Sequence, residues 1–321
     1  MSTLAVAPGG DVAVPGLDRT TYDLIAGWLL EYPSVHTRRG YGRDLALLAA
    51  YLDARGVALL DGERGHMAAW AESMRRGDTA TGRPAAESSI ARRLSSAASF
   101  YGYAVAEEHL PANPLAHLRR PKVGAEESRS AWITRPESRR LLAAAAAHGP
   151  APYGGRAHAL VALILTTVAR VSDLLLADVA DLGHTGGHRV LRVTRKGGKT
   201  QDLPIAPWVG VVVDDYLDGR TDGPLLATRA RGGGHGRWDE PAVWRLVRLL
   251  AGRAGLPGAG ELGPHSLRHS GLTHGFADGM PLRDLQVLAG HADPRTTRRY
   301  DHLADRLDRS PVYALAAGLA G

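Results

Sequence analysis

Residues 263–303, GPHSLRHSGLTHGFADGMPLRDLQVLAGHADPRTTRRYDHL, gather five histidines, five arginines and one tyrosine without a cysteine. His265, Arg268 and His269 stand at i, i+3 and i+4, which puts the first two on one helix face. Pro264 just before them predicts a helix N-terminus, where free backbone N–H groups favour an anion. Two histidines at i, i+4 are also a zinc-ligand spacing. Against that, Arg268 projects on the same side and the stretch has no Glu or Cys to complete a metal set. Taken alone, the pentapeptide reads equally as the start of an ordinary helix with surface histidines. In GHADPRTTRRY, Gly290 closes one helix, Asp293 caps the next and Pro294 occupies its first turn. His291 then lies in a tight turn, with Tyr300 about two turns into the following helix. Tyr300 follows Arg298 and Arg299, an unusual setting for a packing tyrosine.

Only three of the 39 basic residues are lysines: Lys122, Lys196 and Lys199. A GC-rich genome accounts for the arginine excess at least as readily as selection for phosphate binding. Two of the three lysines nevertheless fall within RKGGKTQ. A guanidinium does not release its proton in proteins, whereas an ammonium can when neighbouring cations lower its pKa. A hairpin lysine here is a general acid or simply a phosphate contact, and both readings stay open. Arg170, in TTVARVSDLL, lies between a buried helix and an amphipathic one. Asp173, three residues on, is placed to orient its guanidinium.

These groups need a scaffold to bring them together. At 321 residues the chain suits about two domains, and its net charge of +6 and pI near 9.8 suit an acidic partner. No apolar run reaches membrane-spanning length, and ALVALILTTVA at 159–169 suits a buried helix. The first residues lack the pattern of a signal peptide, and the absence of cysteine excludes disulfides and thiolate metal sites. A cytoplasmic location is expected. Residues 1–17 read as a flexible tail, and 18–112 as a domain of four helices near 21–32, 35–56, 65–77 and 88–109. Residues 113–131 read as a linker, and 132–321 as a second, mostly helical domain. Thr134, Pro136 and Glu137 open its first helix as a capping box. Two short β-runs near 189–194 and 201–205 flank a Gly-Gly turn and predict a small antiparallel sheet. Helices follow at 207–218, 239–254, 266–278, 281–289 and 294–301. The fold class is mainly α.

Together the motifs resemble the tyrosine recombinase (phage integrase) family, in its simple two-domain, Xer-like form. The resemblance rests on Arg170 in ARVSDLLLADVADL, Lys196 in VTRKGGKTQDLPI, His265 and Arg268 in HSLRH, His291 in LAGH and Tyr300 in TTRRYDH. It covers the C-terminal domain specifically; over 20–110 only helix number and position support a core-binding domain. Val168-Ala169 stands where the family usually has Gly-Leu, and Asp173 where Glu is commoner.

The resemblance implies a site-specific DNA recombinase needing no metal, cofactor or ATP. Tyr300 attacks a DNA phosphate to give a 3′-phosphotyrosyl bond and a free 5′-hydroxyl. Arg170 and Arg268 hold the non-bridging oxygens, and His291 adds a donor. His265 assists proton removal or binds the same oxygens, and Lys196 protonates the leaving oxygen. The implied partners are double-stranded DNA with recombination sites and three further copies in a homotetrameric synapse, with accessory proteins left open. The implied location is the nucleoid. Residues 311–320 dock either on a neighbouring protomer or within their own domain. A type IB topoisomerase, a DNA-binding regulator that has lost its chemistry and a metal hydrolase are the rival readings.

Overall fold

The computed structural model describes residues 2–4, 12–14, 17–79, 82–121, 131–149, 154–195, 198–230 and 233–291, together with Asp293 and Thr297. The chain divides into two compact units, Met1–Glu127 and Ser128–Gly321.

In the first unit, strands β1 (Ser2–Leu4) and β2 (Val12–Val14) pair antiparallel within the stretch expected to be a flexible tail. Four helices follow: α1 (Arg19–Leu30), α2 (Val35–Asp53), α3 (Arg64–Arg76) and α4 (Glu87–Ala106). Their ends differ from the expected ones by less than a turn. Each turns a row of apolar residues inward at three- and four-residue spacing. Leu24, Ile25 and Trp28 meet Leu45, Leu48 and Leu52, Met67, Trp70 and Met74, and Ile90, Leu94 and Ala97 in one core. The Trp28 ring stacks on Tyr41 at 5.6 Å and meets Phe100 edge-on at 5.5 Å, which fixes how α1, α2 and α4 converge.

In the second unit, α5 (Arg135–Ala146) starts at the expected capping box: Glu137 Oε2 accepts from the Thr134 N–H at 2.7 Å. In α6 (Gly154–Thr167), six consecutive residues, Ala159–Ile164, are fully buried. A helix apolar on every side must lie at the centre of its domain, and α5, α8 and α10 pack around it. The short α7 (Val171–Leu176) leads to an antiparallel sheet of β3 (Leu182–Thr185), β4 (His188–Thr194) and β5 (Thr200–Pro204), in the order β3-β4-β5. Then come α8 (Pro207–Leu217), the ribbon β6 (Ala227–Arg229) and β7 (His235–Arg237), α9 (Glu240–Arg253), α10 (Pro264–Ala277) and α11 (Leu282–Ala289). Three strands, β3, β6 and β7, go beyond the two expected. LGHT, ATR and HGR are too short and too polar to show alternation.

Two backbone features place the later helices. A Cβ on Gly271 would lie 2.5 Å from the Leu165 carbonyl oxygen, so α10 can approach α6 this closely only through a glycine. Just past α6, Val168 adopts φ +46°, a left-handed conformation that strains a β-branched residue by roughly 1–3 kcal/mol. Its side chain packs with Leu272, Phe276, Leu285 and Ala289. The valine side chain is therefore accommodated by packing, and the cost falls on its backbone.

Among the described residues no helix is long and apolar enough to cross a membrane. The helix expected at 294–301 lies outside them, apart from Thr297, which is helical and buried. Residues 122–130 of the expected linker and the 311–320 segment also lie outside them.

Candidate active site

Three chain segments bring four of the singled-out side chains together. The first is the α6–α7 junction. Arg170 is the N-cap residue of α7, at the junction between the buried helix and the amphipathic one. Its backbone N–H donates to Asp173 Oδ2 at 3.1 Å, and its guanidinium Nη2 donates to the Gly290 carbonyl at 3.3 Å. Asp173 thus fixes the backbone of Arg170. It does not orient the guanidinium, as its spacing had suggested, because its carboxylate is also ion-paired with Arg195.

The second segment is the start of α10. Gly263 precedes the helix in extended conformation, packed so closely on the Trp244 ring that a Cβ would lie 2.2 Å from it, and Pro264 takes the first position. Arg268, one turn in, is 2% exposed. Its guanidinium donates to the carbonyls of Val168 and Ala289 (the latter at 2.7 Å) and to His291 Nε2 at 2.9 Å. The strained turn at Val168 is therefore also the turn that aims a carbonyl at Arg268. His265 is exposed. Burial by its surroundings is nonetheless the first cause lowering its pKa, followed by the charges of Arg268 and Arg170.

The third segment is the turn after α11, closed by Gly290 at φ +60°. There the His291 N–H donates to the Gln286 carbonyl at 3.1 Å. Arg268 can only donate, so His291 Nε2 accepts and the ring proton sits on Nδ1, which faces Thr297 Oγ1 at 2.8 Å. His291 was expected to be a phosphate donor; in this state its outer nitrogen is an acceptor satisfied by Arg268. Burial, then Arg268, Arg170, His265 and Arg195, push its pKa down to about 4. His269, whose i, i+4 spacing from His265 raised a zinc reading, is buried inside α10, while His265 faces solvent. Burial, and then His265, push its pKa down to about 4. Among the described residues no group of three His, Cys, Asp or Glu could hold a metal ion.

These shifts make the stability of the fold depend on pH. In the unfolded chain His269 and His291 titrate near 6.5, whereas in the fold both stay neutral down to about pH 4. Between those values the unfolded state binds more protons, so stability is full above pH 6.5 and is lost as pH falls toward 4. Each refused proton steepens the loss by at most about 1.4 kcal/mol per pH unit. Thermal melts from pH 7 to 4.5 should show a falling Tm, with a shallower slope in His291→Asn. An unchanged slope would mean that the ring titrates normally.

Lys196 and Tyr300 lie outside the described residues. The hairpin that carries Lys196 is described at its root, where the Arg195 N–H donates to the Lys199 carbonyl at 2.7 Å. The residue that sequence reasoning missed is Arg195. It was legible in principle: Leu191 and Val193 are the inward residues of β4, and the next position in that alternation is Arg195.

The description "Phage integrase family" matches residues 131–306, and "Phage integrase, N-terminal SAM-like domain" matches 18–108. The tyrosine recombinase XerC of Mycobacterium bovis (strain BCG / Pasteur 1173P2) is 34% identical over 280 residues, covering 84% of this chain and 89% of the relative. Among solved structures, the XerH site-specific recombinase bound to a palindromic difH substrate in a post-cleavage complex superposes with TM-score 0.71. It is 17% identical, covering 93% of this chain and 89% of that one. A lambda integrase tetramer bound to a Holliday junction superposes at 0.65, with 18% identity over 87% of this chain and 76% of that one. Cationic groups gathered from three segments, and sequence similarity across both units, lead to one assignment: the chain belongs to the phage integrase family, the tyrosine recombinases that cleave and rejoin DNA at specific sites.

Proposed function

We propose that Arg170, Lys196, His265, Arg268, His291 and Tyr300 form one catalytic set around a scissile DNA phosphate. The Tyr300 oxygen attacks phosphorus, the bond to the 5′-oxygen breaks, and a 3′-phosphotyrosyl linkage remains. Attack by a 5′-hydroxyl from another strand reverses the step and completes the exchange. Arg170 and Arg268 bind the non-bridging oxygens with charge-assisted hydrogen bonds as negative charge builds. His265 takes the tyrosine proton or bonds the same oxygens. Once an anionic phosphate offsets the nearby guanidinium groups, His291 can carry a second proton and turn from acceptor to donor.

The observation that carries this reading is the crowding of like charge. Arg170, Arg268 and Arg195 all depress His291, and the first two depress His265 as well. A fold that assembles such repulsion is built for an anion. The cradle lies within 131–306, so residues 132–321 are assigned as the catalytic domain and 18–112 as the core-binding domain. Four copies on two double-stranded recombination sites, acting at the nucleoid, would form the working assembly. The lambda integrase tetramer on a Holliday junction, to which this fold is similar, is the support for that number.

The proposal is tested through Lys196. A 5′-bridging phosphorothiolate leaves as a thiolate and needs no general acid. Lys196→Ala should cleave an ordinary suicide substrate slower by about 10²–10⁴, the usual contribution of general acid catalysis, and recover on the phosphorothiolate. If Lys199→Ala is rescued in its place, the acid is the other lysine.

A further inference from the structure

Arg195 directly follows β4 and continues the inward alternation of Leu191 and Val193, at a position where an apolar residue would pack without an ion to desolvate. It and Asp173 are 8% and 7% exposed and form an ion pair. Each arm of the guanidinium has a separate partner. Nη1 donates to Asp173 Oδ2, Nε to Gln201 Oε1 on β5 at 3.0 Å, and Nη2 to the Leu288 carbonyl on α11 at 3.2 Å. Gln201 adds a parallel tie, its Nε2 donating to the Val287 carbonyl at 2.9 Å. The guanidinium also packs close against Gly290, where a Cβ would meet Nε at 3.0 Å and Cζ at 3.2 Å. The backbone of the same residue closes the turn that carries Lys196: its N–H donates to the Lys199 carbonyl and its carbonyl accepts from Gly198 at 3.1 Å.

We propose that Arg195 is a positioning residue that clamps the root of the 195–199 turn to Asp173 and to the C-terminal end of α11, and so fixes the point from which Lys196 reaches the leaving oxygen. Beyond Leu191, β4 pairs with β5 alone, so the end of the hairpin next to Arg195 is two-stranded and weakly held by its own pairing, and a general acid must come within hydrogen-bond reach of its target. The clamp supplies that constraint, and only a planar fork can serve three partners at once. Asp173 Oδ2 serves both Arg195 and the Arg170 N–H, so the hairpin root and the first arginine share one reference point. The inference rests on Lys196 being the general acid.

The experiment compares Arg195→Lys, Gln201→Ala and Lys196→Ala in the full-length protein. Arg195→Lys keeps a cation beside Asp173 but cannot form the fork. Thermal melting and half-site binding report the fold, and suicide substrates with ordinary and 5′-bridging phosphorothiolate linkages report cleavage. Arg195→Lys should bind DNA, cleave the ordinary linkage slower by about tenfold or more, and recover to within about threefold of wild type on the phosphorothiolate. Gln201→Ala should show the same pattern more weakly, and it decides the matter if Arg195→Lys fails to fold. Equal loss on both substrates, or no loss on either, overturns the proposal. If Lys196→Ala itself is not rescued, the acid assignment falls and this inference with it. If Lys196→Ala is rescued and Arg195→Lys is not, only the clamp is wrong.

Discussion

Replacing Tyr300 by phenylalanine should abolish the SDS-resistant protein–DNA adduct while leaving half-site binding within about twofold. The reason is stoichiometric rather than kinetic. Loss of an activating group slows an attack, but loss of the nucleophilic oxygen removes the bond that would form. The only group lost is one hydroxyl, so binding through the arginines and the helical domain should persist. The measurement is denaturing electrophoresis of a nicked suicide substrate, which traps the adduct by releasing the short 5′-hydroxyl strand. Tyr101 and Tyr216 already have structural work. The Tyr101 hydroxyl donates to the Leu59 carbonyl at 2.6 Å, and the Tyr216 hydroxyl accepts from the Ala227 N–H at 2.8 Å. An adduct that survived in Tyr300→Phe would move the nucleophile to another tyrosine and remove the core of the site assignment.

Local signals in the sequence carried much of this architecture. Helix positions followed from apolar spacing, and the starts of α5 and α10 from Thr134, Glu137 and Pro264, because caps and proline act within one turn. Gly290 as a helix stop was equally local. Long-range consequences were hidden. Asp173 looked like a partner for Arg170 because the two are close in sequence. Its carboxylate instead pairs with Arg195, a choice made by β4 packing against α7. The ordinary pairing logic of i, i+3 cannot see across 22 positions. The same holds for Val168. Its type gave no hint of a left-handed φ, which is imposed by the need to turn the chain between α6 and Arg170. Of the site residues, the four that lie within described segments converge as separate pieces of chain; Lys196 and Tyr300 rest on their motifs.

Arg268 should prove the least replaceable of the described groups. In Arg268→Ala the carbonyls of Val168 and Ala289 lose a buried charged donor, and His291 Nε2 loses the bond that fixes its tautomer. Leaving a buried polar group without its partner costs about 1–3 kcal/mol, so a clear drop in Tm is expected. Arg268→Lys should melt closer to wild type, since a cation remains, but one ammonium cannot span both carbonyls, the imidazole and a phosphate. Loss of a single preorganised donor to a developing oxyanion typically slows reaction by about 10²–10³. Cleavage by Arg268→Lys should fall by at least that factor, because the substitution also disturbs His291. Stability and chemistry can then be separated on the substrate. A methylphosphonate at the scissile position carries no charge on its non-bridging oxygen, so it has less need of a cation there. Arg268→Ala, assayed below its melting temperature, should recover more activity on methylphosphonate than on phosphate, relative to wild type. If both linkages fall equally, Arg268 acts only as a structural brace between α6, α10 and α11, and the charge that meets the phosphate must come from elsewhere.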